Sequence, residues 1–510
     1  MSKSSKYTAI ILGHTIGLFL KKLPLIALFC CVIAISVNGQ KQQPNILFIY
    51  TDDQAAWTLG ISGNHNANTP NLDHLAQEGA YFKNAFVTTP VCSPARASIM
   101  TSQYATEYGI HDFIAQPGHK LYDPDNPVGL DPASITFAEV LQKAGYKTGL
   151  IGKWHLGDWI ENEDKKYHPT NHGFDYFMGL TGGGTSPENP PLEKDGKVSE
   201  FKGLTTDILT NDALEFIENN RQEPFLLCLN YRAPHGKFLP VAPEDWAPYE
   251  SMDPTLPNPN YPDLNIEKAK QKMREYLASV SGIDRNVGRI LASLKQWGID
   301  NNTIIIFSSD HGYNMGHNGI EHKGNGIWIT NTLPPATENI TSKYRPNLYD
   351  NSLKVPAIIF WPGVTKAGTV IEENISSLDW YPTIVEMAGA KLPAKKIIRG
   401  HSLIPLLNGG KVENWNNDFY AEYSMINYCK AYMRSYRTTE WKLVRDFLNP
   451  ERDELYNIAK DPEENINMIY DSREEIKAIL KVLDEKIREQ MQAINDPLLK
   501  RVVSKGVFPK

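Results

Sequence analysis

A cysteine and an arginine stand four positions apart across a proline, in the segment Cys92-Ser93-Pro94-Ala95-Arg96. The chain has five cysteines, and two of them, Cys30 and Cys31, lie in an apolar leader. Three cysteines remain, so at least one is not paired by a disulfide within the chain. An unpaired thiol in an exported protein is expected to have a chemical function, and Cys92 is the candidate for such a reactive residue.

Pro94 is suited to the first turn of a helix, which we predict over residues 95–104. Cys92 would then lie just before the helix N-terminus, where free N–H groups and the helix dipole lower a thiol pKa. A nucleophile of the cysteine-hydrolase kind is therefore one interpretation. A buried free cysteine is another, but it leaves Pro94 and Arg96 unexplained.

Carboxylates follow two of the predicted strands. Asp52 and Asp53 follow the apolar run 45–50, and the pair Asp310-His311 follows the apolar run 303–307. Adjacent carboxylates are poorly tolerated without a cation, and three of them suit Ca²⁺ or Mg²⁺ better than a thiol-binding metal. A solvated turn would explain Asp52-Asp53 alone, but it would not explain the second acidic strand end. A cysteine hydrolase needs no such cluster.

The elements that position these residues alternate along the chain. Short apolar runs predict strands at 45–50, 148–151, 225–229, 303–307 and 355–360, and amphipathic patterns predict helices at 71–78, 136–144, 207–219 and 269–297. This order indicates an α/β fold, a large mostly parallel sheet sandwiched by helices. Ligands bind at the carboxyl ends of such strands, so the residues that follow four of them form one active-site rim.

Two regions rich in glycine and proline, at about 161–203 and 233–265, are predicted to be long loops at this rim. The first contains Gly182-Gly183-Gly184. After about residue 396 the pattern changes to short strands at 419–423, 431–437 and 442–446, followed by an amphipathic helix at 473–490. This pattern predicts a smaller C-terminal α+β subdomain, an antiparallel sheet with one helix packed on it.

Five segments together resemble the type I sulfatases of the alkaline-phosphatase-like superfamily, over nearly the whole mature chain. They are Asn45–Asp53, Cys92–Arg96, Gly152–Gly157, Asp310–Gly312 and Glu454–Asn465. The cysteine signature is specific when it is joined to Gly-Lys-Trp-His-Leu-Gly at 152–157. The resemblance implies a sulfatase catalytic domain over 41–395 and a C-terminal subdomain over 396–510.

The resemblance also implies a role for each site residue. Residue 92 would be oxidised to formylglycine by a maturation enzyme, and its hydrate would attack the sulfur of a sulfate ester. A Ca²⁺ ion, with Mg²⁺ a weaker expectation, would be held by Asp52, Asp53, Asp310, His311 and the modified Cys92. Arg96 and Lys153 would stabilise the developing charge, and His155 would act as the base that releases sulfate. His235 and Lys323 would serve the leaving oxygen and the sulfate, with Lys343 as a rival to Lys323.

Composition and the N-terminus bound the remaining possibilities. The net charge of −7 and the lack of basic runs argue against a nucleic-acid partner. Lys21-Lys22, the apolar run 23–35 and the small residues up to Gly39 predict a secretory signal peptide over 1–39, unless this leader is kept as an anchor. The protein is therefore expected to be periplasmic or secreted, with no other membrane-inserted segment.

The sequence thus predicts an exported sulfatase acting on a sulfated mono- or oligosaccharide, since polar loops with Trp, Tyr and His surround the rim. Two alternatives stay open. One is a phosphomonoester or phosphonate hydrolase of the same superfamily, and the other is a non-catalytic protein that binds sulfated glycans. The intact set of site residues argues against the second, because a binding protein need not keep Lys153, His155 and Asp310 together.

Overall fold

The computed structural model describes residues 43–157, 159–160, 165–409 and 412–500. The predicted signal peptide over 1–39 lies outside this part of the chain. The strands, numbered in chain order, are β1 (Asn45–Asp52), β2 (Ala80–Phe86), β3 (Lys147–Lys153), β4 (Tyr176–Leu180), β5 (Pro191–Lys194), β6 (Lys197–Glu200), β7 (Phe225–Pro234), β8 (Thr303–Ser309), β9 (Asn314–Met315), β10 (Ile320–His322), β11 (Asn325–Trp328), β12 (Tyr344–Pro346), β13 (Lys354–Val355), β14 (Ile358–Phe360), β15 (Thr369–Ser376), β16 (Phe419–Met425), β17 (Ala431–Arg437), β18 (Trp441–Asp446) and β19 (Glu454–Asn457).

The main sheet has eleven strands in the order β13-β2-β14-β8-β1-β7-β3-β4-β5-β6, with β15 paired to β2. Its centre, β8-β1-β7-β3-β4, is parallel, whereas β14 pairs antiparallel with β8 and β5 pairs antiparallel with β4. The carboxyl ends of β1, β3, β7 and β8 therefore meet at one edge of the sheet. The sequence motifs that follow these strands are brought together there.

Both faces of the central strand β1 are covered. Ile46, Phe48 and Tyr50 belong to one apolar cluster, and Leu47 and Ile49 belong to another. This alternation follows from the two-residue period of a strand, and a strand buried on both faces reads as a continuous apolar run. The strand consequently has little freedom to shift its register.

Helices form the layers above and below the sheet. Phe137 and Trp380 pack on the Phe48 face, with ring centroids 6.4 and 5.9 Å from that of Phe48, whereas Leu72 and Val287 pack with the opposite face. The α-helices of the described chain are Pro70–Glu78, Cys92–Thr101, Ala105–Tyr108, Phe137–Lys143, Thr205–Asn220, Pro243–Trp246, Ile266–Gln296, Asp350–Leu353, Trp380–Met387 and Glu474–Ala493.

Two smaller antiparallel sheets complete the fold. Strands β9–β12, which lie in the sequence between β8 and β13, form one of them, and β16–β19 form the other. In the second, Tyr420 and Leu443 pack against the helix Glu474–Ala493, while Ala421 and Val444 join the large core beside β1. From Pro44 onward the described chain forms one compact unit. The domain boundary at 395/396 stays a prediction.

The predicted fold class is confirmed, and the differences from the sequence expectations are local. The predicted strand 355–360 is two short strands, because Pro356 lacks the N–H that a continuous ladder needs. The prediction of one long loop over 161–203 was wrong, because this region contains the strands β4, β5 and β6. The predicted helix 95–104 spans Cys92–Thr101, since Ser102 adopts left-handed backbone angles and ends it.

Candidate active site

Cys92 is the first residue of its helix, buried at the carboxyl edge of the main sheet. Its Sγ atom lies 2.9 Å from Lys323 Nζ, 3.4 Å from His311 Nε2 and 3.7 Å from Asp52 Oδ1. Cys92, Cys228 and Cys429 are all free thiols, so no disulfide competes for position 92. The predicted nucleophile position is therefore surrounded by cations and potential metal ligands.

Arg96 lies one helical turn after Cys92 and is buried. Its Nε and Nη2 atoms donate to Asp310 Oδ2 at 3.1 and 2.9 Å, and its Nη1 donates to the Lys153 carbonyl at 3.0 Å. The guanidinium also lies 5.3 Å from the centre of the Tyr50 ring. These contacts hold Arg96 rigidly and tie the Cys92 helix to β1, β3 and β8 at the rim.

Two lysines neutralise the paired aspartates. Lys153 Nζ lies 2.7 Å from Asp52 Oδ2, and Lys323 Nζ lies 2.5 Å from Asp53 Oδ1. All four side chains are buried. The two cations reach the cluster from different elements, Lys153 from β3 and Lys323 from the β10–β11 connection.

The donor set fits a hard divalent cation. His311 Nδ1 faces the Gly312 carbonyl at 3.0 Å and must donate to it, and Nε2 lies 3.1 Å from Asp53 Oδ1 and 3.3 Å from Asp310 Oδ1. Burial opposes a charge on this imidazole, but the Asp310 carboxylate raises its pKa, so a bound cation would take the place of a proton on Nε2. A histidine fixed in this tautomer by a carbonyl is ready to ligate a metal. The buried Asp53 Oδ2 atom has no hydrogen-bond partner among the residues that the structure describes, so an oxygen ligand is also free there. Two groups of four residues each bring their donor atoms within 4.8 Å of one another. One group is Asp52, Cys92, Asp310 and His311, and the other is Asp52, Asp53, Cys92 and His235.

Burial and charge act in opposite directions on these groups. Burial alone would raise the pKa of Asp52, but Lys153 and the other nearby cations hold it well below its usual range. Burial raises the pKa of Asp310 to about 7, and the Asp52 carboxylate adds to that shift. Burial would also raise the pKa of the Cys92 thiol, but Lys153 and Lys323 hold it well below its ordinary value. The cluster therefore stabilises negative charge at position 92.

His155 is held in one orientation. Its Nε2 atom lies 2.9 Å from the Ile114 carbonyl and must donate to it, so the proton-free nitrogen is Nδ1, which has no hydrogen-bond partner within the described part of the chain. Burial lowers the pKa of this imidazole and favours its neutral form. Gly183 packs on the ring, because a Cβ at that position would fall 2.5 Å from His155 Cε1 and Nε2. The structure thus presents an oriented base beside Cys92.

The remaining predicted residues also reach the site. His235 follows β7 and is half-buried, with Nδ1 2.9 Å from the Gly236 carbonyl. Of the two rival lysines, Lys323 contacts Cys92, whereas Lys343 is exposed in the wall of the adjoining cleft, 5.5 Å from the centre of the Tyr344 ring. All of the residues predicted for the site therefore lie around Cys92, and Lys343 lies farther out.

The cleft above Cys92 has a volume of about 680 Å³. Much of its wall comes from residues that carry no motif, so the sequence did not point to them. They are supplied by the 113–119 segment, by β11, by the start of β12 and by the turn after β16, which are distant along the chain. The wall residues that sequence reasoning missed are Phe113, Gln116, His119, Asn325, Tyr344 and Tyr428.

Comparison with known families decides the classification. Residues 44–390 match the family model described as Sulfatase, and residues 344–493 match the model described as N-sulphoglucosamine sulphohydrolase, C-terminal. The chain belongs to the sulfatase family. It is accordingly a sulfuric ester hydrolase, and its fold is that of the alkaline-phosphatase-like superfamily.

Individual sulfatases are similar over most of the chain. The N-acetylglucosamine-6-O-sulfatase of Bacteroides thetaiotaomicron is 26% identical, with 94% of this chain and 92% of that protein covered. The steryl-sulfatase of Rattus norvegicus is 29% identical, with 76% of this chain and 74% of that protein covered. A structure solved in complex with its substrate, D-glucosamine-2-N,6-O-disulfate, is 24% identical and superposes with a TM-score of 0.73, covering 89% of this chain and 99% of the other.

Proposed function

We propose that this sulfatase hydrolyses a sulfate ester on a sulfated carbohydrate, with residue 92 in its formylglycine form and with Ca²⁺ bound at Asp52, Asp53, Asp310 and His311. The observation that carries the proposal is the position of Cys92 Sγ, 2.9 Å from Lys323 Nζ and 3.4 Å from His311 Nε2, at the floor of the cleft. The similarity to an N-acetylglucosamine-6-O-sulfatase supports a sugar substrate.

Two groups complete the site in this proposal. Oxidation of residue 92 to formylglycine by a maturation enzyme would supply the nucleophilic oxygen for sulfate transfer. Ca²⁺ would supply a fixed positive charge for the oxygens of the sulfate. The oxygen-rich donor set favours Ca²⁺ or Mg²⁺, because a softer metal would prefer thiolate and imidazole ligands.

The chain's own cations bind and orient the sulfate group. Lys323 contacts residue 92, Lys153 contacts Asp52 beside it, and Arg96 donates to Asp310. Positive charges that are in place before the reaction stabilise the transition state without a reorganisation cost. In this proposal the anionic sulfate is bound by two ammonium groups that are already held by buried aspartates.

Two histidines move protons. His155 Nδ1 is the free nitrogen of a neutral imidazole, so it accepts the proton whose removal releases sulfate from residue 92. His235 donates from Nδ1 to the Gly236 carbonyl, and although burial lowers the pKa of this imidazole, its imidazolium form carries on Nε2 the proton that passes to the leaving alcohol. General acid–base groups of this kind contribute roughly 10²–10⁴-fold in rate.

Release of sulfate and phosphate across matched esters tests this function. The panel holds sulfated mono- and oligosaccharides and the corresponding phosphate and phosphonate esters, and the enzyme is produced with a formylglycine-generating system. Sulfate released from a sugar ester, and absent with Cys92→Ala, is the expected result. Preferential phosphate or phosphonate hydrolysis would favour the first alternative, and binding without turnover would favour the glycan-binding alternative.

We also propose that the protein is exported to the periplasm or the cell exterior. The support is the basic and apolar leader over 1–39. Among the described residues, no helix is both long enough and apolar enough to cross a bilayer. N-terminal sequencing of the protein recovered from the native host tests this proposal. A mature N-terminus close to residue 40 is expected, and a protein retained in the cytoplasm with its leader intact would overturn it.

A further inference from the structure

One wall of the cleft is built from aromatic rings. Tyr344 and Tyr428 are stacked, with ring centroids 5.2 Å apart and an interplanar angle of 2°. Phe113 lies 5.4 Å from Tyr428 and 5.7 Å from His119, and all four residues line the same cleft as Cys92. These four residues are called the aromatic wall below. Aromatic faces of this kind stack on the C–H face of a sugar ring.

The aromatic wall is held in place by hydrogen bonds beneath it. The buried Asp112 carboxylate accepts from the backbone N–H groups of Phe113, Ile426 and Asn427 at 2.8, 2.9 and 3.0 Å. The Asn427 side chain donates to the Phe113 carbonyl at 2.9 Å. The segment that carries Phe113 is thus joined to the turn that carries Tyr428, so the wall is formed before a ligand binds.

Two lysines stand beside the aromatic wall. Lys120 Nζ lies 5.8 Å from the centre of the Tyr428 ring, and Lys343 Nζ lies 5.5 Å from the centre of the Tyr344 ring. Both side chains are exposed, and within the part of the chain that the structure describes neither ammonium has a carboxylate within 4.0 Å. An uncompensated lysine in the cleft wall, Lys343, and a second one beside the Tyr428 ring of that wall, Lys120, favour an anionic ligand.

Polar atoms without partners among the described residues belong to side chains that line the same cleft. Both amide atoms of Gln116 and the Oδ1 atom of the buried Asn325 have no hydrogen-bond partner among the described residues, and both side chains line the cleft. A buried polar atom that stays unpaired costs free energy, so such atoms at a cleft indicate ligand groups that satisfy them. Hydroxyl groups of a sugar, which both donate and accept, would pair with an amide and a carbonyl oxygen.

We propose that the aromatic wall, with Lys120 and Lys343, is a subsite for a second, anionic sugar residue next to the one that carries the scissile sulfate. That sugar packs on the part of the stacked Tyr344–Tyr428 pair that borders the cleft, and the two lysines bind its sulfate or carboxylate group. The preferred substrate is therefore an oligosaccharide with at least two negative charges, rather than a monosulfated monosaccharide. This inference rests on the proposed function, because it extends the substrate of the same site.

Kinetics on matched disaccharides test the subsite. Three series carry the same scissile sulfate and differ only in the neighbouring sugar, which is neutral, sulfated or a uronic acid. The double variant Lys120→Met/Lys343→Met removes both charges at nearly constant length, and Lys391→Met is the control, because Lys391 is exposed and does not line the cleft. For the starting enzyme, kcat/KM should be about tenfold higher for a charged neighbour, and the double variant should lose that preference through KM.

A binding measurement tests the subsite independently of the proposed function, because it does not require ester hydrolysis. Calorimetry with the Cys92→Ala protein measures the affinity for the same disaccharides without any turnover. Tighter binding of the charged disaccharides that disappears in the double-lysine background supports the subsite, even if no ester is hydrolysed. Equal affinity and equal kcat/KM for the neutral and charged series, or a preference that the double variant keeps, would overturn it. The sulfated and uronic acid series show which anion the lysines bind.

Discussion

The Nζ atom of Lys323 lies 2.9 Å from the Sγ atom of Cys92, although 231 positions separate the two residues in the sequence. Lys343 lies instead in the cleft wall beside Tyr344. We predict that Lys323→Met lowers kcat by about 10²–10³-fold, as expected for the loss of one preorganised charge. Lys343→Met should act mainly on KM, since it contacts the substrate away from the reacting sulfur. Steady-state kinetics on one sulfated sugar would refute this assignment if Lys343→Met gave the larger loss of kcat.

Gly183 is predicted to position His155. The methyl group of Gly183→Ala would fall 2.5 Å from the His155 ring, which is buried and already bonded to the Ile114 carbonyl. The ring must then move, and kcat should fall by at least about tenfold, within the roughly 10²–10⁴-fold that a general base contributes. Gly184→Ala is the matched comparison, because its methyl group would meet only His235 Cε1, at 3.8 Å.

A larger kcat loss for Gly183→Ala than for Gly184→Ala, at unchanged melting temperature, is the expected pattern. Equal kcat values for the two variants would show that Gly183 does not set the orientation of His155.

Metal removal is predicted to abolish turnover and to lower stability. The site holds three carboxylates within a buried cluster, and none of the described residues donates to the Asp53 Oδ2 atom. A ligand that binds only the folded state raises the free energy of unfolding, by about 2.7 kcal/mol at a hundredfold excess over its Kd. Chelated protein should therefore melt at a lower temperature and recover when Ca²⁺ is added. If neither chelation nor added Ca²⁺ changed the melting temperature, and the chelated protein kept full activity, the metal site would be contradicted.

A buried charge network links the C-terminal sheet to the catalytic core. Lys442 Nζ lies 2.8 Å from Asp350 Oδ1 and 2.6 Å from Glu464 Oε1, and the lysine is fully buried. Lys442→Met would leave two buried carboxylates short of a counter-ion, so the free energy of unfolding should fall by about 3–5 kcal/mol. Lys477→Met is the control, because its pair with Glu474 is exposed and should change stability by less than about 0.5 kcal/mol.

Urea denaturation compares these two lysine variants with the unmodified chain. Similar unfolding midpoints for Lys442→Met and Lys477→Met would show that the buried network does not stabilise the junction.

The parts of the site that follow strands could be predicted from the sequence. Asp52, Lys153 and Asp310 come at or just after the ends of apolar runs, and parallel strands bring such ends to one edge. The core of the sheet was recognisable for the same reason, since strands buried on both faces read as continuous apolar segments. The position of a motif in the fold can thus be predicted when the motif directly follows a strand with a clear apolar pattern.

The cleft wall could not be predicted in this way. Tyr344 and Tyr428 stack although one starts a short strand and the other lies in a turn between two strands of the C-terminal sheet. Nothing local marks either tyrosine, because the pairing depends on how the two small sheets pack at the rim. Lys323 was ambiguous for a similar reason. The hairpin β10–β11 carries it back to Cys92, and strands of three and four residues leave little periodic signal.

The central claim is that residue 92 becomes an aldehyde and that sulfate release depends on it. The decisive measurement is the mass of the peptide spanning residues 92–96, taken on the same preparations whose sulfate release is measured, with and without a co-expressed formylglycine-generating enzyme. We predict that sulfate release rises in proportion to the formylglycine fraction and is absent in Cys92→Ala, which stays folded. Full sulfate release from protein with an unmodified cysteine, or from the alanine variant, would contradict the account.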